Sequence, residues 1–121
     1  MPEDSGVIVA GTDLEEGGSE ALKQARAWSD RTGAALVACH AVPEPPALDS
    51  LLGQLDHTAR AALAGVEKRA QTSLKSHVDR LLGAAADVTT VVLSGSPHAA
   101  LIDEADRRRA RLVVVGATRK G

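Results

Sequence analysis

Three short, continuous aliphatic segments constrain the fold of this chain more than any other feature of its sequence. They span residues 6–11, 35–40 and 112–116 and consist mainly of Val, Leu, Ile and Ala. Because they lack a regular polar face, they predict strands that are covered on both sides, as in a parallel sheet. A fourth segment, residues 87–93, alternates in part through two threonines and predicts a strand nearer the edge.

Helical patterns lie between these predicted strands. Apolar residues recur at helical spacing from Ser19 to Arg31, and Gly33 is placed to end that helix. A longer amphipathic pattern over residues 47–82 predicts one long helix or two joined helices. Ser96 and Pro97 predict the start of a third helix, with Ser96 as its N-cap and Pro97 as its first helical residue. The order β-α-β-α-β-α-β predicts an α/β three-layer sandwich with right-handed crossovers.

Composition narrows the class of protein. The 121 residues fit a single domain over residues 1–121, and one cysteine excludes an internal disulfide framework. A net charge of −2 gives no overall electrostatic attraction to nucleic acid or to an anionic membrane. The single Trp, without Phe or Tyr, disfavours a surface on which bases stack. No apolar run has the length of a membrane span, and the acidic N-terminus lacks a signal-peptide core. We therefore expect a soluble, cytoplasmic protein without nucleic-acid or membrane partners.

The strand ends are the candidate binding loops, because ligands of open parallel sheets bind beyond the carboxyl ends of the strands. The fourth loop, residues 116–121, combines glycines that can form an anion-binding backbone nest with the cations Arg119 and Lys120. An ordinary strand-end turn with two solvated cations explains it equally well. The first loop carries Asp13, which can accept hydrogen bonds from a ribose or a base. The commoner role for such a carboxylate is to accept local backbone N–H groups.

Other candidate sites are weaker. The four histidines have no ligand-type spacing and predict no metal site, and His77 is interpreted as a boundary residue of its helix. Cys39 lies in an aliphatic strand and is interpreted as a small buried hydrophobe. Ser94 and Ser96 lie near His98, but neither belongs to a nucleophile elbow. Both the Walker pattern and the dinucleotide-binding glycine pattern are absent.

Four stretches together resemble the universal stress protein domain. They are Val7-Ile8-Val9-Ala10-Gly11-Thr12-Asp13 with Ser19-Glu20-Ala21-Leu22, Leu36-Val37-Ala38-Cys39-His40-Ala41-Val42, Gly95-Ser96-Pro97 with Ile102 and Ala105, and Ala110-Arg111-Leu112-Val113-Val114-Val115-Gly116. The resemblance runs from about residue 6 to the last residue, with every element in order. It implies a Rossmann-like, HUP-type fold with a parallel sheet in the order 3-2-1-4-5, usually dimeric.

The resemblance also implies an adenine-nucleotide site. Asp13 matches the acidic residue near the adenosine, and Thr12 lines the same pocket. Ala41 or Val42 matches the position whose backbone meets the adenine edge. Gly116 matches the first glycine of the Gly-x2-Gly-x9-Gly-Ser/Thr phosphate motif. The cofactor implied is ATP, with Mg²⁺ as a further candidate, and Asp13 is the one candidate for coordinating a metal beside phosphate.

The sequence departs from the family pattern at its C-terminal end. Arg119 stands at the second glycine of the phosphate motif, and Gly121 follows two residues later as a partial replacement. The rest of the motif, the fourth helix and the fifth strand are missing from the 121 residues. Without that strand, residues 112–115 form an exposed aliphatic edge, which proteins normally avoid. We expect further residues, a homodimer or another partner chain to cover this edge.

Two functions remain open with about equal support from the sequence. One is an ATP-binding, stress-responsive regulatory module with little or no hydrolysis, since no general base is paired with a nucleophile. The other is a nucleotide-independent scaffold or dimerisation domain of the same fold, which Arg119 favours. An ATP pyrophosphatase is a distant third, because Gly11-Thr12-Asp13-Leu14 does not fit the loop of those enzymes.

Overall fold

Strands and helices alternate along the described part of the chain. The computed structural model describes residues 6–14, 16–42, 57–83 and 87–116, without the side chains of residues 16, 17 and 57–63. The elements are β1 (Val7–Gly11), α1 (Glu16–Thr32), β2 (Ala35–Val42), α2 (His57–Leu82), β3 (Val88–Ser94), α3 (Pro97–Arg108) and β4 (Leu112–Val115). The predicted order of elements is confirmed. The start of the long helical pattern, residues 47–56, lies outside the described residues.

The four strands form one parallel sheet in the order β3-β2-β1-β4. Val9 of β1 pairs with Val37 on one side and with Val113 on the other. The predicted α/β class and the order 3-2-1-4 are therefore confirmed. The threonine-containing strand, β3, lies at an edge as its alternation predicts. There Thr90 Oγ1 accepts a hydrogen bond from Gln71 Nε2 of α2 at 2.7 Å.

One face of the sheet is covered by two helices. Ile8, Ala10 and Leu36 from the strands form a buried core with Leu22 of α1 and Leu74 of α2. Both leucines have no exposed surface, and Leu112 and Val114 of β4 pack against the same core. This layer thus extends from β3 at one edge to β4 at the other.

Within the described residues, α3 is the helix that covers the opposite face. Val9, Val37 and Cys39 form a second core there with Leu101 and Ala105 of α3. On this face the valines of β4 stay open, with Val113 40% and Val115 50% exposed. The expectation of an exposed aliphatic edge is therefore met in the described residues, whereas the identity of any cover stays a prediction.

The helix ends follow the sequence signals. α1 ends at Thr32, and Gly33 adopts a φ of +79° while its N–H donates to the Ser29 carbonyl at 2.8 Å. Ser96 is the N-cap of α3 and Pro97 follows it, but the Ser96 hydroxyl makes no capping bond, so only the position agrees. Within the described residues, no helix has the length and apolar character needed to span a membrane.

Candidate functional site

A cavity of about 410 Å³ lies at the carboxyl ends of the central strands, on the α3 side of the sheet. Four segments contribute to it: the end of β1 with the start of α1, the end of β2, the end of β3 with the start of α3, and the end of β4. The lining residues are Gly11, Thr12, Asp13, Gly18, Cys39, His40, Ala41, Leu93, Ser96, Pro97, His98, Leu101, Val115 and Gly116. The cavity therefore lies where open parallel sheets bind ligands.

Thr12 makes hydrogen bonds through both its backbone and its side chain at this site. Its N–H donates to the Cys39 carbonyl at 2.9 Å, which extends the β1–β2 ladder by one residue. Its carbonyl lies 2.9 Å from His40 Nδ1, so His40 donates there. Its hydroxyl oxygen lies 3.2 Å from His77 Nε2 and accepts the Leu14 N–H at 3.0 Å. Thr12 is only 7% exposed, and these bonds fix the start of the loop.

The loop after Thr12 turns sharply and packs tightly on the first turn of α1. Leu14 has a φ of +68°, a left-handed conformation that costs a non-glycine residue free energy. Gly18 lies so close that a Cβ there would come within 2.2 Å of Thr12 Oγ1 and 2.8 Å of the Asp13 nitrogen. The absence of a side chain at Gly18 is therefore a requirement of this loop geometry.

His77 reaches this loop from α2, on the other side of the sheet from the cavity. The residue is 3% exposed, and its Nδ1 lies 3.3 Å from a guanidinium nitrogen of Arg80. A guanidinium can only donate, so Nδ1 accepts, and the proton of neutral His77 lies on Nε2, facing Thr12 Oγ1. Burial, followed by the charge of Arg80, lowers the pKa of His77. The ring is thus kept neutral and in one tautomer.

The structure brings together Thr12, Asp13, Ala41 and Gly116, four of the residues implied by the family resemblance. Asp13 is exposed to solvent and lines the cavity. Val42 is not among the described lining residues, and its carbonyl accepts the Gly95 N–H at 3.0 Å. The predicted phosphate-binding residues Arg119, Lys120 and Gly121 lie outside the described residues.

Cys39 forms part of the apolar floor of the cavity and is 1% exposed, as its sequence context predicts. Burial, with a contribution from the negative charge of Glu104, raises the pKa of its thiol to about 11. Because the thiolate is the reactive form of cysteine, Cys39 serves here as packing.

Sequence reasoning missed the roles of His40, His77 and His98. His40 and His98 line the cavity, and His77 is a buried partner of Thr12, not the boundary residue that its helical position suggested. The available signal was that His40 and His98 each fall next to a predicted strand end. No comparable signal exists for His77, because its contact with Thr12 joins residues 65 positions apart.

Comparisons with known proteins place this geometry in a family. Residues 5–121 match the family model described as "Universal stress protein family". A search among curated proteins found no significant match.

Solved structures agree in fold. A universal stress protein from Lactobacillus plantarum is 24% identical with a TM-score of 0.59, over 97% of this chain and 80% of that one. A universal stress family protein from Burkholderia pseudomallei is 17% identical with a TM-score of 0.65, over 93% and 82%. A universal stress protein solved in complex with cAMP is 21% identical with a TM-score of 0.60, over 89% and 69%.

At these identities the solved structures establish the fold alone, whereas the family model spans nearly the whole sequence. The parallel sheet in the order β3-β2-β1-β4 and the cavity at its carboxyl edge agree with that match. This chain belongs to the universal stress protein family.

Proposed function

We propose that this protein is a cytoplasmic stress-response module that binds an adenine nucleotide, ATP in the first instance, and regulates partners with little or no hydrolysis. The observation that carries the proposal is the meeting of Thr12, Asp13, Ala41 and Gly116 in one cavity. These residues come from three strand ends. A volume of about 410 Å³ lies within the range of small-molecule sites.

The lining suits the parts of a nucleoside. Cys39, Leu93, Leu101 and Val115 provide an apolar surface against which a base can pack without aromatic stacking. Asp13, as a carboxylate, can accept two hydrogen bonds from ribose hydroxyls. In this proposal the backbone of Ala41, which lines the cavity, meets the polar edge of the base. His98 at the start of α3 and the backbone at Gly116 border the region left for phosphate.

The proposed absence of rapid hydrolysis follows from the same lining. Asp13 is the one carboxylate among the described residues that border the cavity, and the Thr12 hydroxyl faces the donor nitrogen of His77 and so has no base there to accept its proton. Asp13 is also the residue that would hold Mg²⁺ beside a nucleotide. The universal stress protein in complex with cAMP supports nucleotide binding in this fold, as a property of that protein.

Isothermal titration calorimetry with ATP tests the proposal, with and without Mg²⁺. The wild type is expected to bind, and Asp13→Ala is expected to weaken binding at least about tenfold, the equivalent of a hydrogen-bonded charge. Asp103→Ala is the matched control, because Asp103 is exposed on α3 and does not line the cavity. Equal binding by both variants would contradict the assigned site, and the absence of heat from the wild type would contradict the proposed function.

The second candidate is a nucleotide-independent assembly domain. The exposed faces of Val113 and Val115 favour it, because an uncovered aliphatic edge strand invites a partner chain. A homodimer is the simplest assembly of this kind. Light scattering over a range of protein concentrations tests it: a dimer that persists without ATP and dissociates in Val113→Lys supports assembly. A monomer at every concentration contradicts it.

A further inference from the structure

We propose that His77 is a positioning residue for the nucleotide site and makes ligand binding sensitive to acid. Neutral His77 holds the Thr12–Leu14 loop in its binding conformation, and protonated His77 releases it. This inference rests on the proposed function, since Asp13 lies between the two loop residues that the contact fixes. His77 itself does not line the cavity, so its effect is exerted through Thr12.

The hydrogen bonds around His77 run in one consistent direction. Arg80 donates to Nδ1 of His77 at 3.3 Å, and only a ring with its proton on Nε2 can accept there. Nε2 then donates to Thr12 Oγ1 at 3.2 Å. The same oxygen accepts the Leu14 N–H at 3.0 Å. The chain from Arg80 to Leu14 is therefore complete with one neutral tautomer of His77.

A second proton on the His77 ring changes which of its nitrogens can accept a hydrogen bond. An imidazolium carries N–H on both nitrogens, so Nδ1 can no longer accept and would direct a donor at the donor of Arg80. The imidazolium would also face the guanidinium of Arg80, two cations of which His77 is buried and Arg80 is exposed. Of the charged groups around the ring, Arg80 on α2 and His40 on β2 oppose protonation, and Asp13 after β1 favours it. The protonated ring keeps its Nε2 donor toward Thr12 but loses the bond from Arg80 and carries a charge in a buried position, so we expect the ring to withdraw toward solvent.

The position of the His77 ring affects the ligand site through Thr12. When Nε2 withdraws, Thr12 Oγ1 loses one of the contacts that orient it, and this oxygen also supports the left-handed turn at Leu14. A strained turn persists only while the surrounding contacts hold it. Its relaxation displaces Asp13, whose carboxylate the proposed site uses. Acidification is thus expected to lower nucleotide affinity.

His40 provides a contrast. Its Nδ1 donates to the Thr12 carbonyl at 2.9 Å, and this contact needs no acceptor nitrogen on the ring. A loss of affinity on acidification that is absent from a His77 variant therefore identifies His77.

The test compares wild type with His77→Gln, because glutamine retains a side-chain donor and an acceptor but does not titrate. ATP affinity is measured by calorimetry at about pH 7.5 and about pH 5.0. Protonation of ATP affects both proteins alike, so the readout is the ratio of the two dissociation constants. The wild type is expected to lose about tenfold more affinity than the variant, the worth of a hydrogen bond in a buried site. Asp103→Asn should behave as wild type, and an unchanged ratio overturns the proposal.

A second measurement needs no ligand and separates the two proposals. The amide resonances of Asp13 and Leu14 are followed by NMR against pH, together with the ring nitrogens of His77. In the free wild type these amides are expected to titrate with the ring, and in His77→Gln they are expected to lose that transition. If ATP fails to bind at any pH, the proposed function is wrong while this titration still supports the acid-sensitive contact. Loop amides that titrate identically in both proteins overturn it.

Discussion

The two faces of the sheet differ in how completely helices cover them. On one face α1 and α2 pack against side chains of every strand, including the partly buried Leu112 and Val114 of β4. On the other face α3 buries β1, β2 and part of β3, and it leaves Val113 and Val115 of β4 half exposed. The candidate site opens on this second face, beside Val115 and the start of α3.

The comparison shows how one sheet serves both stability and binding. A cavity requires a place where packing stops, and the single-helix face provides it at the carboxyl ends of the strands. The face covered by α1 and α2 holds the fully buried Leu22 and Leu74, and His77 of α2 contacts Thr12 at the start of the site loop. If the two faces differ energetically as they differ in cover, matched substitutions on them have unequal effects on stability.

The largest expected effect on stability comes from replacing one buried leucine by alanine on each face of the sheet. Leu74→Ala is expected to destabilise the protein by about 3 kcal/mol, because Leu74 is fully buried between two helices and the sheet. Leu101→Ala is expected to cost about half as much. Leu101 already borders the open cavity, so its removal enlarges an existing space. Urea unfolding measures the free energy of unfolding of both variants. Equal losses of stability would contradict an energetic difference between the two faces.

Gly18→Ala tests how tightly α1 packs on the site loop. A Cβ within 2.2 Å of Thr12 Oγ1 forces the loop or helix to move, and a loss of about 2 kcal/mol with weaker ATP binding is expected. Gly65→Ala is the matched control in the middle of α2, where the nearest contact of a Cβ is the flexible end of Arg69 at 3.4 Å. It is expected to stabilise the protein by about 0.5 kcal/mol through helix propensity. A tolerated alanine at Gly18 would contradict the loop geometry.

A third pair compares two valines that are neighbours in the sheet register. Val9 and Val113 are paired across β1 and β4, but Val9 is fully buried whereas Val113 is 40% exposed. Val9→Thr is expected to cost about 1.5 kcal/mol, since it buries a hydroxyl. Val113→Thr is expected to change the free energy of unfolding by less than about 0.5 kcal/mol. A large cost at Val113 would show that another segment or chain covers β4 in solution.

The smallest expected effects concern acid stability, and they involve one buried side chain on each face, His77 and Glu104, whose pKa is lowered. The pKa of His77 is lowered by burial and then by Arg80, so the stability it confers is present above its ordinary value of 6.5 and declines as pH falls below it. The pKa of Glu104 is lowered chiefly by its hydrogen bond from Arg108, at 2.5 Å, and also by Arg107. The stability that Glu104 contributes is present above pH 4.5, its ordinary pKa, and declines below that pH.

Two steps of acid destabilisation are therefore expected, and each variant should remove one. His77→Gln removes the step below about pH 6.5 and Glu104→Gln the step at lower pH. At neutral pH Glu104→Gln is expected to cost about 1 kcal/mol, because both arginines are partly solvated and their bonds are correspondingly weakened. Unfolding free energies measured across the pH range check this. A single step that both variants abolish would contradict the assignment to separate faces.

Much of the fold could be predicted because its signals are local. The continuous aliphatic segments, Gly33 after α1 and Pro97 at the start of α3 each report on their own neighbourhood. Asp13 and Gly116 follow strand ends, so the rule for open parallel sheets also predicts their shared cavity. His77 illustrates the limit, because nothing near it in sequence indicates that it contacts Thr12.

The sequence by itself determined the class of fold, the order of the elements and the edge of the sheet at which the candidate site lies. These depend on hydrophobic periodicity and on the chirality of βαβ units, which act over a few residues at a time. Only the tertiary structure decided that His77 is neutral and bonded to Thr12, and that Val113 is exposed while Val9 beside it is buried. Burial and hydrogen-bond partnership depend on which distant segments meet, and packing alone sets them.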